Sequence, residues 1–278
     1  MNKCSFSIAC LIAFVSNVAL ANESNCVYLL NEKALKAFDR LYGTHSSYQY
    51  SSASNWKVEK TSQNTELDNA VEFEIEHSNR YVESDRLRAQ LNVYGLPESV
   101  NTVFYSGYFT LNKSVKNYEM SMDENQWLNI FEIWNQPAWE NGTNAFKFSI
   151  NLTKNKDEHT FYPTLSAQYK KKGSSNWTLL WSSDLDIEVH SDKKYRLDVY
   201  GSAHKINSLM VEVSSENEST RKVFFDGLVY PYTNSSARFW GINPFKLYSG
   251  VDVVERVAKH DAKLAIKFEE PTLCLFEK

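Results

Sequence analysis

The sequence predicts an all-β fold: a sandwich of two packed antiparallel sheets with short helices at its flanks. Three observations carry this. From residue 70 onward, apolar and polar residues alternate with a period of two in segment after segment. No helical pattern separates these segments, so nothing in the chain reads as a parallel βαβ unit. The composition supplies a sizeable core, with 42% of the 278 residues hydrophobic and 14% aromatic, while 9 Gly and 6 Pro are too few for a collagen-like or low-complexity chain.

In chain order, residues 1–21 read as a secretory leader. Lys3 is its basic start, Ile8 to Val15 its apolar run, and Ala19-Leu20-Ala21 its small-x-small cleavage signal. The apolar run is too short for a membrane span. Residues 22–278 then form one exported domain, secreted or periplasmic, expected to be a monomer. Cys4 and Cys10 leave with the leader. Cys26 and Cys274 remain, and an even pair in an oxidising compartment predicts one disulfide.

Asn31 to Tyr42 predicts a helix: Asn31 is the N-cap, Leu35, Phe38 and Leu41 recur at helical spacing, and Gly43 ends it. Residues 44–69 are polar and Ser-rich and read as a long loop or irregular strand. Val71, Phe73 and Ile75 then alternate with Glu72, Glu74 and Glu76. Leu87, Ala89, Leu91 and Val93 alternate with Arg86, Arg88, Gln90, Asn92 and Tyr94. Further strands are expected at 103–111, 126–134, 145–152, 160–170, 177–182, 194–200, 208–214, 221–225, 228–232 and 262–269, with a tight hairpin at Asp226-Gly227. A second short helix is expected at 251–259.

A net charge of −4 without a Lys/Arg block excludes a general nucleic-acid binder. The row Arg86, Arg88, Gln90, Asn92 and Tyr94 on one strand face offers guanidinium, amide and phenol groups that suit the hydroxyls and carboxylates of a glycan. Glu132 and Trp134 share a face, and a carboxylate beside an indole is a common sugar-binding pair. Lys246 and Tyr248 share another, where Tyr can act as acid or base. The substrate-binding candidates are therefore Arg86, Arg88, Gln90, Tyr94 and Trp134, and the catalytic candidates Tyr248, Lys246 and Glu132. Each has a competing reading as a solvated sheet face or a satisfied core residue. The Glu72-Glu74-Glu76 triplet admits a glycosidase reading, although a charged outer face is the simpler one. The six histidines show no zinc spacing. Asp184-x-Asp186-x-Glu188 offers oxygen ligands for a structural calcium but lacks a Gly-bearing loop; no other cofactor is expected.

Taken in order, four stretches resemble the jelly-roll polysaccharide lyases of the heparin lyase type, with a concanavalin A-like architecture. Val71 to Ile75 followed by Arg88-Ala89-Gln90-Leu91 looks like that group's early strand and its Arg-(Ser/Ala)-Glu-Leu motif. Tyr105 to Phe109 looks like its next groove strand. Trp127 to Trp134 is similar to the strand that ends Gln-x-His, and Phe245-Lys246-Leu247-Tyr248 to its closing Lys/Tyr strand. The resemblance implies a β-jelly roll with a concave groove for an acidic polysaccharide, cleaved by β-elimination with His and Tyr as base and acid. The chain departs at three positions: Gln90 replaces Glu, Glu132 replaces Gln, and Trp134 replaces the His. The reading that follows is an exported polysaccharide-binding protein on a lyase-like jelly roll. The alternatives are a working lyase with Tyr248 as acid/base, a glycoside hydrolase, and a structural or adhesion module.

Overall fold

The computed structural model describes residues 25–53, 56–61, 70–77, 83–111, 127–135, 144–154, 161–203, 207–215, 218–227, 238–250 and 264–277. The leader at 1–21, the helix expected at 251–259 and the strand expected at 228–232 lie outside these residues.

Strand β1 (Cys26–Tyr28) is followed by helix α1 (Glu32–Tyr42), β2 (His45–Ala53), β3 (Trp56–Thr61), β4 (Ala70–His77), β5 (Glu83–Tyr94) and β6 (Val100–Leu111). Next come β7 (Trp127–Trp134), β8 (Ala145–Lys154), β9 (Phe161–Lys170), β10 (Thr178–Asp184), β11 (Lys194–Ala203), β12 (Asn207–Ser215) and β13 (Glu218–Gly227). The last are β14 (Gly241–Asn243), β15 (Lys246–Gly250) and β16 (Leu264–Glu277). They form two sheets. Sheet A has the order β13-β12-β11-β6-β16-β4-β3, with β1 also on β16. Sheet B runs β10-β9-β8-β7, then β14 and β15 in line between β7 and β5, and finally β2 on the far side of β5. Every one of these pairings is antiparallel, as the alternation predicts.

The helix forms as its caps dictate. Asn31 accepts a hydrogen bond from the Ala34 N–H at 3.0 Å, and Gly43 takes the left-handed conformation at φ 66° that an L side chain resists. Between 44 and 69 the structure corrects the loop expectation: β2 and β3 lie there. Tyr48 packs against the core, and both it and the more exposed Tyr50 meet the Phe73 ring edge-on, each at 6.4 Å. The apolar face of β2 is thus phenol rather than aliphatic, and its backbone partner is the distant β5, so local composition conceals it. Tyr105 to Phe109 also differs from the resemblance. It belongs to β6 in sheet A, with Tyr105 in the core, and so lies on the opposite sheet from Arg88, Glu132 and Tyr248.

Aromatic residues fill the space between the sheets. Phe73 of sheet A lies 5.9 Å from Phe245 of sheet B, and Tyr105 lies 5.5 Å from Phe131. Phe73, Phe146 and Phe148 are fully buried, each worth about 1.5–3 kcal/mol of apolar transfer. Glu72 and Glu74 project outward from sheet A, where Glu72 is in register with Lys267. Among the described residues no helix is long and apolar enough to cross a membrane.

Cys26 and Cys274 are register partners of β1 and β16 and form the expected disulfide across 248 residues of sequence. Closing so long a loop restricts the unfolded chain strongly. Replacing both cysteines by Ala is expected to cost about 2–5 kcal/mol in urea unfolding, and reduction of the intact chain to add the mass of two protons.

Candidate functional site

The outer face of sheet B collects most of the candidate residues because β5, β7 and β15 are neighbours there. On β5 the alternation holds: Leu87, Ala89, Leu91 and Val93 are buried inward, so Arg88, Gln90, Asn92 and Tyr94 turn outward. The Arg86 backbone pairs with Gly250, but its side chain lies outside the described residues. On β7 the register shifts between Asn129 and Phe131, a β-bulge that resets the alternation. Phe131 thereby enters the core, while Asn129, Glu132 and Trp134 share the outer face. On β15, Lys246 is in register with Gln90, and Tyr248 with Arg88 and, on the other side, with Asn129.

At the centre is a buried ion cluster. The Lys246 ammonium donates to Glu132 Oε2 at 2.6 Å, and the Lys147 ammonium to Glu132 Oε1 at 2.7 Å. Lys246 and Glu132 are nearly sealed from solvent, at 2% and 4% side-chain exposure. Burial pushes the Glu132 carboxyl up, but the charges and hydrogen bonds of Lys147 and Lys246 more than reverse this and hold it well below the usual carboxylate range. Burial lowers the Lys246 ammonium to about 8 against the opposing attraction of Glu132. A lone Glu132 would repel a uronate; here its charge is already neutralised, and Arg88 adds a further cation. The Arg88 guanidinium and the Lys246 ammonium each rest 4.9 Å from the centre of the Tyr248 ring, which Trp127 meets edge-on at 5.1 Å.

An amide chain joins this cluster to an open cavity. Lys246 lies 3.5 Å from Asn243 Oδ1, and Asn243 Nδ2 donates to Asn92 Oδ1 at 2.7 Å. Gln90 Nε2 donates to both Asn92 Oδ1, at 2.7 Å, and Gln49 Oε1, at 2.9 Å. The cavity, about 320 Å³, is lined by Arg88, Gln90, Tyr94 and Trp134, together with Gln49, Asn92 and Trp240. Arg88 Nε, Gln90 Oε1 and Asn129 Oδ1 are buried with no hydrogen-bond partner among the described residues. Such groups are costly unless a ligand satisfies them.

Trp134 is held by what faces it. It is in register with Gly241, and a Cβ there would sit 2.5 Å from the indole Cζ2. Only a bare Cα leaves room for the ring. Trp240 packs against both Trp134 and Tyr94, the latter at 5.5 Å between centroids. Sequence reasoning missed Gln49, Asn129, Asn243, Lys147 and Trp240. Lys147 was the most legible, because it stands between the core residues Phe146 and Phe148 and must point outward. Asn129 was hidden by the bulge and Gln49 by the unrecognised β2.

Among the described residues no three His, Cys, Asp or Glu side chains gather as metal ligands. Of the suggested calcium ligands, Asp184 accepts from Thr164 at 2.6 Å, and Glu188 pairs with His190 at 3.2 Å.

Known protein-family profiles and curated sequences give no match to this chain. Solved structures do. The PL-14 alginate lyase from Aplysia kurodai superposes with a TM-score of 0.52 at 9% identity, over 92% of this chain and 100% of that one. The endo-beta-1,4-glucuronan lyase from Trichoderma reesei gives 0.46 at 11% identity, over 82% of this chain and 90% of that one. The alginate lyase from Klebsiella pneumoniae gives 0.44 at 9%, over 74% and 81%. The fold is a two-sheet β-jelly roll like that of the Aplysia kurodai enzyme. These three are alginate and glucuronan lyases, and the narrower heparin lyase type is not among them. At such identities the likeness concerns the fold alone.

Two outcomes follow. Gly241→Ala forces the Trp134 indole aside and is expected to cost about 1–3 kcal/mol, with a change in tryptophan emission. Because the Glu132 carboxyl is depressed, its stabilisation is complete above the ordinary value of 4.5 and is lost as pH falls toward the folded value. Glu132→Gln is therefore expected to flatten the acid limb of stability below 4.5. At pH 7 it leaves the buried Lys246 ammonium, and the partly buried Lys147, poorly paired and lowers stability by about 3–5 kcal/mol in urea titration.

Proposed function

We propose that this chain is an exported polysaccharide-binding protein whose ligand contains uronate residues and lies across the outer face of sheet B. The observation that carries the reading is the charge of that face: Arg88, Lys147 and Lys246 surround a single carboxylate, Glu132, in a chain whose net charge is −4. A local excess of cations in an acidic protein suits a ligand that is anionic at intervals rather than uniformly. Arg88 is suited to a carboxylate, Gln90 and Asn92 to hydroxyls, and Tyr94, Trp134 and Trp240 to the apolar faces of sugar rings. The disulfide supports export to an oxidising compartment.

A second reading, β-elimination, is favoured by the position of Tyr248 against Arg88 and Lys246. Arg88 binds the uronate carboxylate, and the buried Lys246 adds positive charge beneath it that stabilises the charge developing when the C5 proton leaves. The Tyr248 oxygen, acting as the phenolate after its own proton has gone to solvent, takes that proton. The freed electron pair forms the C4–C5 double bond as the C4–O bond breaks, and the leaving oxygen takes a proton from Tyr248. No His is needed if one Tyr serves both steps, which accommodates Trp134. The glycosidase reading has less support. Glu132 is held ionised by two lysines and so cannot be the general acid, and among the described residues no Asp or Glu lines the cavity.

Titration with alginate and glucuronan oligosaccharides tests the reading. Binding is expected, and Arg88→Ala is expected to weaken it at least tenfold; absence of binding to every uronate polymer overturns it. New near-ultraviolet absorbance that disappears in Tyr248→Phe establishes the lyase over the pure binder. Lys246 keeps its charge below about 8 and loses it above. Affinity is therefore expected to decline as pH rises through about 8, and Lys246→Arg to remove that decline.

A further inference from the structure

The opposite side of the sandwich carries a cavity of its own. On the outer face of sheet A, about 260 Å³ is enclosed by Tyr108 of β6, Lys194 and Arg196 of β11, Ser214 and Ser215 of β12, and Glu270 of β16. We propose that this cavity is a second glycan site, one that takes a neutral sugar ring. The inference stands apart from the uronate reading, because it shares no residue with the sheet B site.

Charge decides the ligand class. Lys194 and Lys267 both pair with Glu269, at 3.5 and 3.3 Å, and Arg196 pairs with Asp198 at 2.9 Å. At the cavity itself, with Glu270 added, three cations meet three carboxylates, and Glu72, Glu74 and Glu212 stand farther out on the same face, so it carries none of the cationic excess of sheet B. A neutral polyhydroxyl ligand matches that balance. Arg196 is already oriented: its Nε is held by Asp198 and its Nη2 donates to Ser106 at 3.3 Å, which leaves the Nη1 edge for a ligand. A guanidinium that donates and a carboxylate that accepts suit adjacent hydroxyls of a sugar set beside the Tyr108 ring, one face of which the Lys194 ammonium covers at 4.3 Å. Ser214 and Ser215 add hydroxyls that can do either.

The backbone at Glu270 supports the assignment. It takes φ 51°, a conformation that side chains other than Gly rarely adopt, and it precedes Pro271, which disfavours any but an extended backbone there. The register of β16 shifts between Glu269 and Thr272 at this point. The bulge is pinned from two sides. The Leu29 N–H donates to the Pro271 carbonyl at 2.9 Å, and Gly107 leaves room for Pro271, whose Cα would lie 3.2 Å from a Cβ at that position. A strained residue held in place by its surroundings, with its carboxylate lining a cavity, is a pattern associated with binding sites.

The test is an NMR titration of the mature chain with xylo-, gluco- and manno-hexaoses, with alginate hexamer titrated in parallel. At least one neutral series is expected to shift the amides of Tyr108, Arg196 and Glu270 saturably. Tyr108→Ala and Glu270→Ala are each expected to weaken that binding tenfold or more, while the exposed Leu179→Ser on β10 leaves it unchanged. Saturating alginate hexamer is expected not to displace the neutral sugar. No shift at these amides with any neutral series, full affinity in both cavity variants, or displacement by alginate each overturns the second site. Loss of alginate binding alone removes the uronate reading and leaves this one standing.

Discussion

The Glu132 carboxylate, clamped between Lys147 and Lys246, is the interaction on which the outer face of sheet B depends. It ties three adjacent strands, β7, β8 and β15, through side chains rather than backbone. A buried ion pair is expensive to desolvate and is retained only when its geometry satisfies every member. Here one carboxylate oxygen serves each lysine, so the cluster is closed on itself while still leaving a surplus positive charge. Tyr248 and Arg88 are arranged around that surplus, and the amide chain through Asn243, Asn92 and Gln90 carries order outward to the cavity. Removing the carboxylate would therefore change both the charge of the site and the packing of its floor.

Two local departures from regular sheet geometry build this arrangement. The β7 bulge lets Asn129 and Glu132, three residues apart, occupy the same face, which strict alternation forbids. Gly241 lets Trp134 lie against the strand, placing an indole where the sequence resemblance leads one to expect a His. An indole at this position offers a stacking surface and carries no proton to transfer.

The two faces of the sandwich are chemically distinct. Sheet B presents a cationic centre with an aromatic end, and sheet A a charge-balanced cavity with one tyrosine ring. The two proposed sites, facing away from each other, would suit a protein that meets a mixed polymer network. A short stretch of chain cannot fill both, so simultaneous engagement would join separate strands or distant segments of one strand and add avidity without new contacts.

The sequence by itself determined the all-β class, the helix from Glu32 to Tyr42 with its caps, the pairing of Cys26 with Cys274, and the outward face of β5. These follow from periodicity, capping and compartment chemistry, which are local or compositional. It did not determine that 44–69 holds two strands, because Tyr48 supplies a core face only once Phe73 is opposite it. Nor did it place Lys147, Asn129 and Asn243 beside Glu132, or put Tyr105 to Phe109 on the far sheet. Along the chain Glu132 stands between Phe131 and Ile133, with no cation beside it. Only the tertiary structure brought two lysines to it, from strands 15 and 114 residues away, and so reversed the sign of the site: charge is a sum over neighbours in space, and the sequence lists neighbours along the chain.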